Sequence, residues 1–304
     1  MENEVSGKGK STLEFLPLNV KLLSKITPML CECPYMLCDY TPGGLLFGMK
    51  RLYSTEVCVA DGRVFLSVIS DDRMRREFIM PTGELSSSVE MLYEYAKEHG
   101  IECIIQGTCT AAELTAKKFR CGYEISDELF DYVYDAKALA RLEGSAYHTQ
   151  RTNIRKLWRE HESWRYERIN DGNLADALEF ADRLFSELED DGTLYFGAGK
   201  QIVYDALNNL ELLSLRAGAL YVDGRVEAVC VGYVKREMLY IHVLRASRRI
   251  TGAWQLLCSE FVSDNLSDIK YVNMEDDLGH AGLARMKTSY SPIDHIKRAR
   301  VKIR

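Results

Sequence analysis

The chain has 304 residues, of which 46% are apolar, 28% charged and 10% aromatic, a globular composition that excludes a disordered, collagen-like or low-complexity protein. Its 39 Lys and Arg stand against 45 Asp and Glu, a formal charge of −6, so any polyanion partner must be met by local basic patches and not by the chain as a whole. No apolar run approaches the roughly 18 residues that span a bilayer, and Met1 to Ser11 lacks the apolar core of a secretory leader, so a cytoplasmic chain with no transmembrane segment is expected.

Residues 1–12 read as a disordered tail. Gly7-Lys8-Gly9-Lys10-Ser11 resembles the end of a phosphate-binding loop, but Glu4 stands where that loop needs Gly and no strand precedes it. An amphipathic segment follows, Leu13 to Met29. Cys31, Cys33 and Cys38 are the one cysteine cluster; no second pair lies at zinc-like spacing, so reduced thiols are expected and no metal. Leu52 to Ser70 alternates about Asp61-Gly62, which predicts a hairpin with a tight Asp-Gly turn. Leu85, Val89, Leu92, Tyr93 and Ala96 recur at helical spacing up to Gly100. A short strand (102–106), a helix (110–119) and a strand at Gly122-Tyr123-Glu124-Ile125 complete a first unit.

Ala136 to about Trp164 reads as one long helix rich in Arg, either a solvated linker or a phosphate-facing surface. The next helix, 174–189, is acidic and ends at Glu189-Asp190-Asp191-Gly192, read as a turn because its acids lack the alternating spacing of a calcium loop. The order of the first unit then repeats: a hairpin about Asp223-Gly224, a strand 238–244, a helix 252–264, a strand 269–275 and a helix 281–288. Asp61-Gly62-Arg63-Val64 and Asp223-Gly224-Arg225-Val226 match at a separation of 162 residues, which supports a duplicated α/β unit divided as 13–135 and 136–304.

A strand, an Arg- and Gly-containing loop, then helix, strand and helix resembles the GNAT acyltransferase fold. Arg249-Ile250-Thr251-Gly252-Ala253 resembles its pyrophosphate loop, in which backbone N–H groups at a helix N-terminus hold an anion. Asp131-Tyr132-Val133-Tyr134, Leu142-Glu143-Gly144, His242 and Asn273-Met274-Glu275-Asp276-Asp277-Leu278-Gly279 with Lys287 and Tyr290-Ser291-Pro292 are similar to a narrower bacterial family, named for the C-terminal domain of lysyl-phosphatidylglycerol synthase. That resemblance implies a tandem GNAT-like α/β (α+β) fold with mixed central sheets. It also implies transfer of an aminoacyl group from aminoacyl-tRNA to an amine or hydroxyl acceptor, which includes a lipid head group reached peripherally, a peptide or a small molecule. No tightly bound cofactor is expected.

Two departures bear on the donor. Arg285 stands five residues before Tyr290, where CoA-dependent members place a tyrosine, and Trp254 stands where a small residue is usual, so acetyl-CoA or another acyl-CoA is the alternative donor. Ala284 replaces an Arg that the family often carries. A non-catalytic binding module is the reading from another class.

Acyl transfer needs a base, oxyanion donors and a hold on the leaving group. Glu275 and Asp277 end a predicted strand two residues apart, on one side if the strand persists, with Asp276 on the other; they are assigned the substrate ammonium and the role of base, with helix capping as the alternative for Asp277. His242 is placed on the strand that borders the donor cleft, as base or carbonyl partner, or simply packed. Arg248, Arg249, Arg285 and Lys287 are expected to meet phosphates, with Arg151 and Arg155 as outlying contacts, or to be solvated charges. Gly252 is expected to permit a close backbone approach, and Asn273 and Tyr290 are assigned to substrate. The first half's equivalent loop, Pro81-Thr82-Gly83-Glu84, carries an acid and no Arg, so that half is expected to be structural or acceptor-binding.

Overall fold

A computed structural model describes residues 13–48, 53–70, 75–187 and 194–304. The expected tail at 1–12, with its Gly-Lys run, and the acidic turn at 189–192 lie outside the described residues. The first half contains β1 (Leu16–Pro17), α1 (Val20–Glu32), α2 (Pro42–Gly48), β2 (Tyr53–Ala60), β3 (Arg63–Ser70), β4 (Arg76–Ile79), α3 (Leu85–Glu98), β5 (Cys103–Thr108), α4 (Cys109–Phe119) and β6 (Tyr123–Asp135). Two helices, α5 (Ala136–Arg141) and α6 (His148–Glu160), lead into the second half. There follow β7 (Trp164–Arg168), α7 (Leu174–Glu187), α8 (Leu194–Leu207), β8 (Arg216–Val222), β9 (Arg225–Lys235), β10 (Met238–Ala246), α9 (Ala253–Asn265), β11 (Tyr271–Asn273), α10 (Ala281–Thr288) and β12 (Asp294–Ile303).

Both expected hairpins form for the expected reason. Asp61 and Gly62 have φ of 49° and 70°, Asp223 and Gly224 of 49° and 83°, and a two-residue turn with both φ positive is what Asp-Gly accommodates. The long helix predicted over 136–164 is broken. Leu142 and Gly144 take positive φ (51° and 87°), which ends α5, and α6 starts afresh at His148. Its C-terminal end gives way to the unforeseen β7.

One twelve-stranded sheet runs in the order β1-β2-β3-β4-β5-β12-β6-β11-β10-β9-β8-β7. Each half lays three antiparallel strands, a crossing helix and a parallel strand (β4 beside β5, β10 beside β11), then a second helix and a final antiparallel strand. This is the tandem GNAT-like mixed α/β architecture. The final strands are exchanged: β6, from the first half, pairs with β11 (Val133 opposite Asn273), while β12, from the second, pairs with β5 (Val301 opposite Ile105). They pair with each other across the middle. β12 escaped the sequence reading because Lys297, Arg298, Arg300 and Lys302 make it look like a solvated basic tail, although Ala299, Val301 and Ile303 are buried beneath it.

Side chains alternate across the sheet. Val133 and Tyr240 pack with Cys38 on the face covered by the first half's connecting loop, whereas Tyr132 and Tyr134 join Leu256, Phe261 and Met274 on the face covered by α9 and α10. α7 and α8 cover the second half's first face through Phe180, Ile202 and Val203. Each such fully buried side chain contributes about 1.5–3 kcal/mol of transfer free energy.

A chain ending at Ser291 loses β12 and with it the partner of both β5 and β6. Hydrogen exchange on that truncation is expected to show loss of amide protection in β5 as well as β6; protection retained in β5 would refute the coupling of the halves through the exchanged strands.

Candidate active site

The β10–β11 ladder ends at Tyr240 opposite Asn273, and the two strands then part. Beyond that point His242 on β10 and Glu275 after β11 reach the same face, and His242 Nδ1 lies 2.6 Å from Glu275 Oε1. With Nδ1 carrying hydrogen, the ring donates to the carboxylate. Nε2 lies 3.4 Å from Thr41 Oγ1, whose hydroxyl donates to Cys38 O at 2.6 Å. Gly43 at the start of α2 lies flat on the ring: a Cβ there would fall 1.9 Å from His242 Cδ2. The His242 side chain is 2% exposed and that of Glu275 18%, so the carboxylate is the accessible member of the pair.

Glu275 has φ of +61°, an unfavourable left-handed conformation for a residue with a side chain, worth about 1–2 kcal/mol. Its surroundings enforce it. Its N–H donates to Asn273 Oδ1 (2.7 Å), its carbonyl accepts from Tyr132 N (3.1 Å), and the Lys287 ammonium donates to Met274 O (2.6 Å) and to Asp276 O on either side of it. Burial pulls the Lys287 pKa down, with Glu275 and Asp276 opposing. Underneath, Asn273 Nδ2 donates to the wholly buried Asp131 (2.9 Å), which also accepts from Cys38 N (2.7 Å). Burial pushes Asp131 up to about 7 against the pull of Arg298 and Asn273, and burial likewise raises Asp276 to about 6.

The same turn reaches the opposite face. Asp277 Oδ2 accepts from the Tyr132 hydroxyl at 2.6 Å and its Oδ1 from Gly279 N at 2.9 Å. It borders a cavity of about 490 Å³ on the α10 side, between Tyr132, His295, Lys297 and Ala284.

Residues 46–301 match the family model described as phosphatidylglycerol lysyltransferase, C-terminal. The chain belongs to that family. A crystal structure of a conserved protein of unknown function from Bacteroides thetaiotaomicron has the same fold, with a TM-score of 0.87 and 22% identity over 96% of this chain and 100% of that one. That of L-PGS from Bacillus licheniformis aligns with a TM-score of 0.62 and 17% identity over 91% and 90%. A curated relative, an uncharacterized protein of Mycoplasmoides gallisepticum, is 24% identical over 210 residues, and the match spans 67% of this chain and 66% of that protein.

Within this family member the residues singled out from sequence divide. His242 and Glu275 come together, with Asn273 bridging Glu275 to Asp131. Glu275 and Asp277 do not share a side: β11 ends at Asn273, the positive φ at Glu275 redirects the chain, and Asp277 faces α10. Lys287 is buried at 7% exposure with its ammonium committed to carbonyls, so it holds the Glu275 turn and does not present a charge at the surface. Tyr290 is a core residue, 2% exposed, 5.2 Å from Trp254 between ring centres. Arg151 donates to the carbonyls of Leu142 and Gly144 and secures the break between α5 and α6. Arg155, Arg248 and Arg285 are exposed, and Arg249 pairs with Glu187 at 3.2 Å.

Gly252 does serve a close approach, to another helix: with φ of +96° it caps α9, and a Cβ would meet Asn153 O of α6 at 2.3 Å. In the first half the corresponding N-terminus, that of α3, is filled by the chain itself. Glu84 accepts from Ser86 N and Ser87 N at 2.9 and 2.8 Å, bonds that pull its carboxyl down to about 2. Cys31, Cys33 and Cys38 diverge, toward Tyr233, Lys235 and Asp131 respectively.

Thr41 and Gly43 carry no sequence motif and lie about two hundred residues from His242, so only the fold brings them to the ring. Asp131 and Tyr132 were visible only as part of the family-like run.

Gly43→Ala is expected to cost about 1–3 kcal/mol by overpacking against the imidazole, read from urea unfolding, and to shift the His242 ring resonances in NMR. For Asp131 the folded pKa exceeds the unfolded one, so its contribution is present below about pH 4 and is lost as pH rises through about 7. Asp131→Asn should therefore flatten the fall in urea midpoint between pH 4 and 8; an unchanged slope would count against a protonated Asp131.

Proposed function

We propose that the chain is an acyltransferase that moves an aminoacyl group from aminoacyl-tRNA to an amine or hydroxyl acceptor. The observation that carries this reading is the His242–Glu275 pair at 2.6 Å where β10 and β11 part. Membership of a family described as phosphatidylglycerol lysyltransferase supports the aminoacyl donor.

Glu275 is the base. Its exposed oxygen takes the proton of the acceptor amine or hydroxyl as that group attacks the ester carbonyl of the donor; the C–N or C–O bond forms, the ester C–O bond breaks, and the proton passes to the departing ribose oxygen. The Nδ1–H of His242 stays on the second carboxylate oxygen and stabilises the charged form before attack. Asp277, next to the α10-side cavity, takes the ammonium of the aminoacyl group beside the Tyr132 ring. Donor and acceptor thus approach the turn 275–277 from opposite faces of the sheet. Exposed Arg285 and Arg248 meet donor phosphates. Among the described residues no helix is long and apolar enough to cross a membrane, so a lipid acceptor is met at the membrane surface.

The test is transfer of radiolabelled amino acid from a charged tRNA pool to candidate amines, peptides and lipid vesicles, with acetyl-CoA titrated in parallel. Glu275→Gln and His242→Gln should each lower the transfer rate by at least about 10²-fold with tRNA affinity unchanged. Arg285→Ala should weaken tRNA binding and reduce its logarithmic salt slope by about 1. Saturable acetyl-CoA binding with no response to tRNA would replace the tRNA donor by acyl-CoA, and the absence of both would make the chain a binding module.

A further inference from the structure

Lys235, the last residue of β9, is 1% exposed and has no role in the mechanism above. It faces the C-terminal end of α1. There its Nζ lies 3.3 Å from Cys33 Sγ and donates to Tyr35 O at 2.7 Å, with the Tyr40 ring 5.5 Å away. Two residues earlier on the same face of β9, the Tyr233 hydroxyl meets Cys31 Sγ at 2.5 Å. Each of these thiols thus has its own partner, and Cys38 is turned toward Asp131. The group that the fold sets against Cys33 is an amine.

A charged ammonium is poorly matched at this place. No carboxylate of the described residues comes within ion-pair distance of Lys235, in contrast to Lys287, which is also buried but has Glu275 and Asp276 beside it. Burial pulls the Lys235 pKa down, with Cys33 and Cys31 opposing and Arg236 adding to the shift. A lysine answers such a mismatch by giving up its proton, and the neutral amine is a nucleophile. The pair is also within reach of a small oxidant. Cys33 keeps 5% of its surface exposed between the exposed Glu32 and Pro34, and the exposed Arg236 follows Lys235.

We propose that Cys33 and Lys235 form a covalent modification site, at which a hydroperoxide oxidises the thiol and the amine then closes on sulfur as a sulfenamide. In the first step sulfur attacks the outer oxygen of the hydroperoxide. The S–O bond forms, the O–O bond breaks, sulfur gives up two electrons that the peroxide gains, and the thiol proton ends on the departing oxygen as water or an alcohol. In the second step the neutral Lys235 amine attacks the sulfenic sulfur; the S–N bond forms, the S–O bond breaks, and hydroxide leaves with one amine proton as water. Sulfenic acids condense with nitrogen as they do with thiols, and Nζ is the group positioned to do so. The bond joins residues 202 apart in sequence and ties the end of α1, in the first half, to β9 in the second. It thereby anchors the segment that leads to Thr41 and Gly43 behind His242. The site does not depend on the transfer reading of the preceding section.

Peptide mapping by mass spectrometry on the full chain, before and after treatment with hydrogen peroxide, tests the site. The expected product is the Cys33 peptide joined to the Lys235 peptide, lighter by two hydrogens than the two together, with fragment ions that place the bond on Lys235 and not on Cys230 of the same peptide. Dithiothreitol should reverse it. Because the bond constrains the unfolded chain over so long a loop, Tm of the cross-linked protein should rise by roughly 5 °C or more. Lys235→Met should form no bridge and leave Cys33 as a sulfenic acid that dimedone captures. Cys33→Ser, which exchanges one atom, should lose both the bridge and the rise in Tm; together with the wild-type map it decides the matter should Lys235→Met fail to fold. A disulfide from Cys33 to another cysteine, Cys33 carried on to the sulfinic acid with Lys235 unmodified, or a Cys33 that stays reduced would each overturn the proposal.

Discussion

The ladder between β6 and β12 is the constraint on which the molecule turns. Because each of these strands closes the sheet of the half it does not belong to in sequence, neither half has a complete set of backbone partners alone. The exchange also sets the site. β6 brings Asp131 and Tyr132 against β11, and these two residues fix the turn through Asn273 and through the Glu275 carbonyl. The first half then supplies Thr41 and Gly43 as the wall behind the imidazole.

Several buried polar groups lie in this seam. Asp131, Asn273, Lys287 and Arg298 are all buried: Asn273 and Lys287 bond backbone groups at and beside Glu275, Asp131 holds Asn273 and Cys38 N, and Arg298 pairs with Asp39. A buried network of this kind contributes little net stability but defines one geometry, since each member left unpaired carries a desolvation cost of about 1–3 kcal/mol. The strained φ of Glu275 is the conformation that this network selects.

Short-range chemistry was legible in the sequence. Asp-Gly turns, the helical spacing before Gly100 and the repeated order of elements depend on neighbours within a few residues, and each reappears in the fold. The family-like block at 273–279 contains Glu275, and the fold brings His242 of β10 to it. What was not legible is set by long-range geometry. β12 is basic in composition and becomes a central strand only because β5 and β6 flank it. Lys287 resembles a surface cation until Met274 and Asp276 present their carbonyls to it. The expectation that Glu275 and Asp277 share a side assumed a strand that the structure ends two residues earlier.

Glu84 shows how a repeated fold comes to have unequal halves. The N-terminus of α3 holds a carboxylate from its own chain where its counterpart, α9, starts at a glycine with no side chain to offer. A tethered acid at effectively fixed local concentration acts as a built-in competitor, and any diffusing anion must displace it before it can bind there. The N-terminus of α3 is thereby occupied by its own chain while the helix and strand order of the repeat is kept. Thr41 and Gly43, from the same half, pack against His242 of the other half.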